Sequence, residues 1–514
     1  LVCRGCHRLG PLSLFLSTTP GTKTLKLKCQ VCKQGVFPAR LIVACSRGHI
    51  DDFPWKWWAH GKEPVCASPE LYLTASGRTA SLSDLRVSCR RCNTGQSLGG
   101  AFGSGALASL PCQGNRPWLR DQESGCQEEL HTLQRGASNV YFSVTESGLS
   151  IPPWSSNLQS ALDKHWGTLK HVPDESLWVT VQDMGLARHL RQSVDQIVEA
   201  IKSRRAASTG QGTTLTREQL RDREYQALKF SDMNLDKSDD FEVRDEPVAE
   251  PLQTVIGTVR RAERLREVRA LRGFTRVDPP GIEEQVRLAP LSATPGGKDW
   301  LPAVELRGEG IFIELDPERV ALWEKAATIQ QRAGRINRQY AHMCDDHQIS
   351  VDREISPRFL LIHTFAHTLI RQFSLICGYS SAALRERLYV TEASDRENGA
   401  AAALIYTATT DSDGSLGGLV RQARPEQLYS LIMGALEDAI WCSSDPLCIE
   451  SQGQGYEALN LAACHSCVLL PETSCEHFNR LLDRAMIVGT GDESCGFFSS
   501  LIQEQRLAAM GMRE

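Results

Sequence analysis

Hydrophobic and polar positions change period several times along the chain. Up to about residue 150 the apolar residues fall in short alternating runs, such as Lys26 to Lys28 and Ala137 to Val144, and this predicts short strands. Pro152-Pro153 closes that region. From Glu175 the spacing turns helical, as in Ala187 to Arg204, and breaks in the Gly/Ser/Thr stretch Ser208 to Thr214. Thr216-x2-Gln219 then has the form of a capping box that opens another helix. Between Thr258 and Arg272, Ala262, Leu265, Val268 and Leu271 recur every three residues among six arginines, predicting a basic amphipathic helix stopped by Gly273. Pro357 suits the first turn of a long apolar helix reaching Cys377. Leu404 to Thr410 alternates like a strand and runs into the turn Asp411-Ser-Asp-Gly414 and Leu416-Gly417-Gly418. No solenoid or propeller repeat is evident.

These periods predict a multidomain α+β protein with four regions. A zinc-organised, β-rich region covers 1–150 and a mixed, mainly helical region covers 151–355. A mixed α/β region covers 356–490, which the family likeness described below implies to be a zinc-binding domain, followed by a tail over 491–514. The 514 residues exceed what one core can organise. Composition is that of an ordinary globular protein, 41% apolar and 23% charged. A net charge of -5 excludes bulk electrostatic coating of nucleic acid, so any such binding needs local patches. Residues 1–60 supply one, with nine Lys/Arg against Asp51 and Asp52. The acidic stretch Asp232 to Glu250 reads as a solvated linker. No apolar run of bilayer length is seen, and Leu1 to Ser17 lacks a secretory pattern, so a cytoplasmic chain with no membrane partner is expected.

The eighteen cysteines change the picture most, because their spacing favours metal over disulfides. Cys3-x2-Cys6 and Cys29-x2-Cys32 are two knuckles 22 residues apart, close to the zinc-ribbon pattern. Cys89-x2-Cys92 with Cys112 and Cys126 forms a second candidate set, with Cys66 as a substitute ligand. Cys45-x3-His49 and His60 fit either metal or a buried thiol and two hydrogen-bonded imidazoles beside Trp55, Trp57 and Trp58. Near the carboxyl end we select Cys448, Cys464, Cys467 and Cys475, with Cys442 competing with Cys448 for the first position. Cys344, Cys377 and Cys495 have no partner at ligand spacing and read as packing residues. Four-thiolate sites leave no open position for water, so they point to architecture and binding, not catalysis.

Two motifs invite catalytic readings that the residues do not support. His363-x3-His367 has the spacing of a zinc-protease pair, but Thr364 stands where the general-base glutamate belongs, which favours a core or interface pair. Gln331-Arg-Ala-Gly-Arg335-Ile-Asn-Arg338 matches a helicase arginine-finger motif, yet no G-x-x-x-x-G-K-[ST] loop occurs to hold ATP. That run reads as an exposed basic turn or as an arginine offered to a partner ATPase. The residues nominated for DNA contact are Arg260, Arg261, Arg264, Arg335 and Arg338.

Four segments together carry a family likeness: Ala44-Cys-Ser-Arg-Gly-His-Ile-Asp-Asp-Phe-Pro-Trp55, Ser138-Asn-Val-Tyr-Phe142, Leu265-Arg-Glu-Val268 with Gly273-Phe274, and His363-Thr-Phe-Ala-His367. The chain resembles the DrmB family of bacterial DISARM phage-defence systems. Its stretch from Pro357 to Val488 is similar to the MrfA-type helicase-associated zinc-binding domain, through Leu404-Ile-Tyr406, Gly417-Gly418, Cys464-x2-Cys467 and Leu482-Asp483-Arg484. The resemblance implies a four-cysteine zinc site, a DrmA-type helicase partner and a part in recognising invading DNA. The expected function is therefore a non-catalytic zinc-binding subunit; the alternatives are a metal-dependent nuclease or hydrolase centred on His363 and His367, or a zinc scaffold that binds only protein.

Overall fold

The computed structural model describes residues 1–514 apart from 19–24, 62–64, 76–80, 152–155, 191, 209–215, 231–239, 281–287, 293–299, 347–350, 352–353, 393–398, 408–417, 491–494 and 510–514. The turn Asp411 to Gly417 lies outside the described residues, as does the first part of the acidic stretch. Contacts divide the chain into two units: Leu1–Glu146 with Leu271–Pro302, and Ser147–Ala270 with Ala303–Glu514.

The first unit is built from short strands and turns. An antiparallel sheet runs in the order Thr94–Ser97, Leu85–Cys89, Leu71–Ala75, Arg8–Leu9, Val2–Cys3, Val36–Phe37. A second places Leu41–Ala44 between His131–Gln134 and Ile50–Asp52. Leu25–Leu27, near the run predicted at Lys26 to Lys28, pairs with Leu16–Thr18. The core gathers Val2, Leu9, Val43, Phe53, Trp58, Leu71 and Val87. Several of these strands have only two residues, too short to hold together by their own ladders.

The second unit holds a helical cluster and an antiparallel sheet. Helices Ser156–Leu169, Asp174–Asp183, Leu186–Leu190 and Val194–Ser208 bury Leu162, Leu177, Val181, Ile197 and Ile201. The capping box is present: Thr216 N–H donates to Gln219 Oε1 at 3.0 Å and Gln219 N–H to Thr216 Oγ1 at 3.2 Å, opening helix Arg217–Phe230. In the sheet, Ile256–Thr275 pairs with Phe241–Glu246 and with Ala303–Leu315. Ala303–Leu315 pairs with Ala400–Thr407, which pairs with Leu384–Thr391.

Thr258 to Arg272 is therefore strand, not the predicted helix. Register shifts fall between Ile256 and Thr258 and between Ala262 and Leu265. Each bulge adds a residue, so Ile256 and Val259, and likewise Ala262 and Leu265, are buried three apart across one; Val259 and Ala262, in unbroken register, lie on opposite faces and are both buried, and the resulting spacing imitates a helix. The acidic stretch is also not wholly a linker. Asp240 and Glu242 are buried, and Phe241–Glu246 is a strand.

Pro357–Cys377 is a helix as expected, capped by Ser356 and ended by Gly378 in the left-handed region. Its 21 residues are long and apolar enough to cross a membrane by length and composition. Pro357 to Ile370 are nevertheless all buried, packed on the strands Leu384–Thr391 and Ala400–Thr407 and on helix Pro425–Ile440. All eight residues of Ala400–Thr407 are buried, so the sheet is covered on both faces there. The tail is part of the fold, since Phe497 and Phe498 are buried before helix Ser499–Ala509.

Candidate metal centres

Among the described residues, five groups of four ligand-type side chains converge, the ligand atoms of each lying within 4.8 Å of one another. The first is the predicted ribbon set. Cys3 Sγ stands 3.2 Å from Cys32 Sγ and Cys6 Sγ 3.6 Å from Cys29 Sγ. These are too far for a disulfide, whose sulfurs sit at about 2.05 Å, and near enough to share one ion. Every cysteine in the chain is unpaired by disulfide.

The second and third groups regroup the residues that the sequence placed together. Cys112 and Cys126 join Cys45 and His49, whereas Cys89 and Cys92 join His60 and Cys66. The ligands are nested, with one set inserted between the two halves of the other. Cys45 Sγ lies 3.4 Å from His49 Nδ1 and 3.7 Å from Cys112 Sγ. His49 Nε2 is 3.0 Å from Glu123 Oε2, an outer carboxylate that orients the imidazole toward its ligand set. In the other group Cys92 Sγ is 3.3 Å from His60 Nε2, and His60 Nδ1 reaches the Lys56 carbonyl at 2.6 Å. Cys45-x3-His49 and His60 thus belong to ligand sets, and Cys66 stands in one beside Cys89 at 3.7 Å.

The fourth group is Cys442, Cys448, Cys464 and Cys467. Cys442 and Cys448 do not compete, since both are present, and Cys475 belongs elsewhere. Cys442 Sγ is 3.5 Å from Cys464 Sγ, and Cys448 Sγ is 3.7 Å from Cys467 Sγ. The fifth group brings Cys475 to His363, His367 and Glu386, all buried.

Electrostatics fit cation binding. Burial pushes the Cys29 thiol up, but the backbone amides of Cys32 and Val31 more than reverse it, to about 6. The Cys89 thiol is likewise raised by burial and brought down to about 6 by the amides of Cys92, Glu70 and Arg91. For Cys464, burial is outweighed by the Ser466 amide and neighbouring thiols, again to about 6. In these three knuckles N–H groups turn onto the first sulfur, which favours the thiolate that a metal requires. Burial holds partners up, Cys6 and Cys45 to about 12 and Cys448 to about 11. A divalent ion would displace those remaining protons.

The nominated arginines fare differently. Arg260 pairs with Asp245 at 2.8 Å, Arg261 with Glu246 at 2.9 Å, and Arg264 Nε donates to Glu242 at 2.9 Å, all across the Phe241–Glu246 pairing. A phosphate would have to displace a carboxylate from each. The arginine-finger motif is no turn, for it lies inside helix Ala327–Asp346. Its first arginine, Arg332, is buried and donates to Asp483 at 2.7 and 2.8 Å. Arg335 is half-buried and Arg338 exposed, three residues apart on one helix face.

Comparison with known proteins gives two domain matches and one relative along most of the chain. A profile described as a domain of unknown function (DUF8724) matches residues 1–142, which contain the first three groups whole. The MrfA Zn-binding domain profile matches residues 365–468 and so contains the fourth group. Over 486 residues the chain is 36% identical to the DISARM protein DrmB of Bacillus paralicheniformis, covering 92% of this chain and 85% of that protein. The chain belongs to the DrmB family. For this DrmB-family chain, the resemblance drawn from the sequence motifs and the expected zinc-binding carboxyl-terminal domain both hold. The multidomain α+β architecture holds as well, with a β-rich amino-terminal region carrying Cys/His clusters. The family signature at Leu482-Asp483-Arg484 has a structural meaning: Asp483 receives Arg332, and Arg484 donates to Asp445 at 2.7 and 2.9 Å and to the Ala439 carbonyl at 2.8 Å.

Proposed function

We propose that this DrmB-family chain is a non-catalytic DISARM subunit whose folded surface is organised by zinc, and which docks a DrmA-type helicase and helps it hold DNA during anti-phage defence. The observation that carries this reading is the closure of the thiolate-rich groups, each committing four side chains to one centre. A four-coordinate zinc so held has no place for a reactive water. The sequence also lacks an ATP-cradling loop, which leaves ATP turnover to the partner. His363 and His367, on which a hydrolase would centre, are fully buried. Zinc suits the donor sets because thiolates with one imidazole or none match its borderline softness and tetrahedral habit. The ions supply folding free energy to two-residue strands that could not otherwise offset their ordering entropy. Cysteines at metal spacing with no disulfide between them suit a reducing compartment such as the cytoplasm.

DNA contact rests on cations that pair with no acid among the described residues. Arg4, Lys28, Lys33 and Arg40 are exposed in the amino-terminal unit, and Arg335 and Arg338 lie on the carboxyl-terminal one. Copurification with the neighbouring helicase, followed by DNA binding and ATP turnover of each protein alone and of the pair, tests the proposal. We expect no ATPase from this chain alone, and a pair that binds DNA more tightly than the helicase does, with an affinity that falls steeply as salt rises. Equal activity with and without the chain overturns it.

A further inference from the structure

We infer that His363, His367, Glu386 and Cys475 form a fifth zinc site, separate from the four-cysteine centre of the MrfA-type domain and structural in role. His363 and Cys475 lie outside the 365–468 span of that domain's profile, so the four-cysteine description does not include this group. The inference goes beyond the function proposed above.

The group is built from three distant segments. His363 and His367 sit one turn apart on helix Pro357–Cys377, Glu386 on strand Leu384–Thr391, and Cys475 in the loop after the Cys464–Cys467 knuckle. His363 Nε2 stands 3.1 Å from Glu386 Oε1 and 3.3 Å from Cys475 Sγ. His367 Nε2 stands 3.6 Å from the same Glu386 oxygen.

Hydrogen bonds on the far side of each ligand decide what faces inward. His363 Nδ1 lies 3.1 Å from the Leu481 carbonyl and His367 Nδ1 3.0 Å from the Val468 carbonyl. A carbonyl can only accept, so both imidazoles carry a proton on Nδ1, and in the neutral form each turns an Nε2 lone pair to the centre. The Cys475 sulfur accepts from the backbone N–H groups of His477 and Asn479, each at 3.3 Å. Glu386 Oε1 accepts from the Glu476 N–H at 3.2 Å.

With both imidazoles neutral, two lone pairs, a carboxylate and a sulfur face one another with at most a single thiol proton among them. His367 Nε2 and Glu386 Oε2 are buried with no hydrogen-bond partner. Acceptors crowded together in a dry interior repel, and each orphaned group costs free energy. A cation at the centre turns that repulsion into four bonds. With two neutral imidazoles, one carboxylate and one thiolate, the ligand charge is -2, which a divalent ion cancels. Nitrogen, oxygen and sulfur donors together suit zinc, and four protein ligands close its shell. The ion would bolt the helix and the sheet to the knuckle loop, a segment with little regular structure of its own.

The test is the position and number of zinc ions in the native full-length chain. Crystals measured on both sides of the zinc absorption edge should give an anomalous peak bounded by His363 Nε2, His367 Nε2, Glu386 and Cys475 Sγ, with the other groups also filled. Peaks in the other four groups and none here overturn this inference alone, leaving a hydrogen-bonded polar cluster; no peak anywhere also overturns the zinc reading of the first four. In solution, Cys475→Ser and His367→Gln should each lower bound zinc from five equivalents to four. Undiminished zinc in folded variants overturns the inference, and if neither variant folds the anomalous map decides.

Discussion

Replacing Arg332 with Met separates the two meanings of the arginine-finger motif. In the folded chain Arg332 bonds Asp483 at 2.7 and 2.8 Å, with 9% of its side chain and none of the carboxylate exposed. Met fills similar volume but abandons a buried charge, and breaking such a pair from one side costs roughly 3–5 kcal/mol. Asp483 keeps the N–H groups of Ala462 at 3.3 Å and Ala485 at 3.1 Å. That partial compensation puts the loss at about 3 kcal/mol, on the order of a hundredfold in the local opening equilibrium. A chain of two units does not unfold in one step, so native-state hydrogen exchange is the suitable assay. Amides of the helices Ala327–Asp346 and Pro357–Cys377 should exchange about a hundredfold faster in the variant. Arg332→Met combined with Asp483→Leu should recover only part of the loss, because an apolar pair abandons no charge but leaves the Ala462 and Ala485 N–H groups without their acceptor. Unchanged exchange in Arg332→Met, together with weaker stimulation of the helicase ATPase, refutes this reasoning and makes Arg332 a residue that reaches the partner.

The remaining predictions concern the other groups and the interior ions. Cys45→Ser and Cys66→Ser should each remove one zinc and raise the proteolysis rate around a different nested set; loss of the same metal from both would mean that the two sets are one. Arg387 bonds Glu224 twice at 2.6 Å in the interior, so Arg387→Met should cost about 3 kcal/mol or more, read as faster exchange in helix Arg217–Phe230. Burial pushes the Glu476 carboxyl up, but Arg221 and Arg387 bring it below the ordinary carboxylate range. Its stabilising contribution is therefore complete above the unfolded value of about 4.3 and is lost as pH falls through the lower folded value. The stability gap between the native chain and Glu476→Gln should shrink on acidification, and a gap that widens there contradicts the assignment. Gly399 has φ +65, and a Cβ there would meet Arg358 Nη1 at 1.8 Å and the Thr391 carbonyl at 2.4 Å. Gly399→Ala should therefore destabilise by more than 1 kcal/mol, measurable as a lower thermal midpoint.

Legibility in the sequence followed the range of the interaction. Cys3, Cys6, Cys29 and Cys32 were readable because each knuckle is a local turn and only one long loop separates the pair. The capping box at Thr216 and the start of the helix at Pro357 were readable for the same reason, being set by neighbours within one turn. The nested ligand sets were not. Nearest-neighbour pairing joins Cys89–Cys92 to Cys112 and Cys126, and only the folded strands show that the chain leaves one set, completes another and returns. A signal was present in Cys45-x3-His49, a half-site still needing two more ligands. Cys475 was misassigned because it follows a knuckle in sequence but lies against the helix in space. The basic strand was hidden by its bulges, which depend on the partner strands.

By itself, then, the sequence determined the chemical inventory: thiols at metal spacing, no ATP loop, the local helix starts, and motifs whose family likeness the comparisons bear out. The tertiary structure decided which ligands share a centre and which charges are spent inside. Glu386 and Arg387 are adjacent, yet Glu386 faces the histidines on one side of the sheet and Arg387 meets Glu224 on the other. The alternation of a strand separates them, and what each then meets depends on helices brought in from more than a hundred residues away in the case of Glu224 and some twenty in the case of His363. Local sequence can set the alternation, but only packing determines what lies on either side.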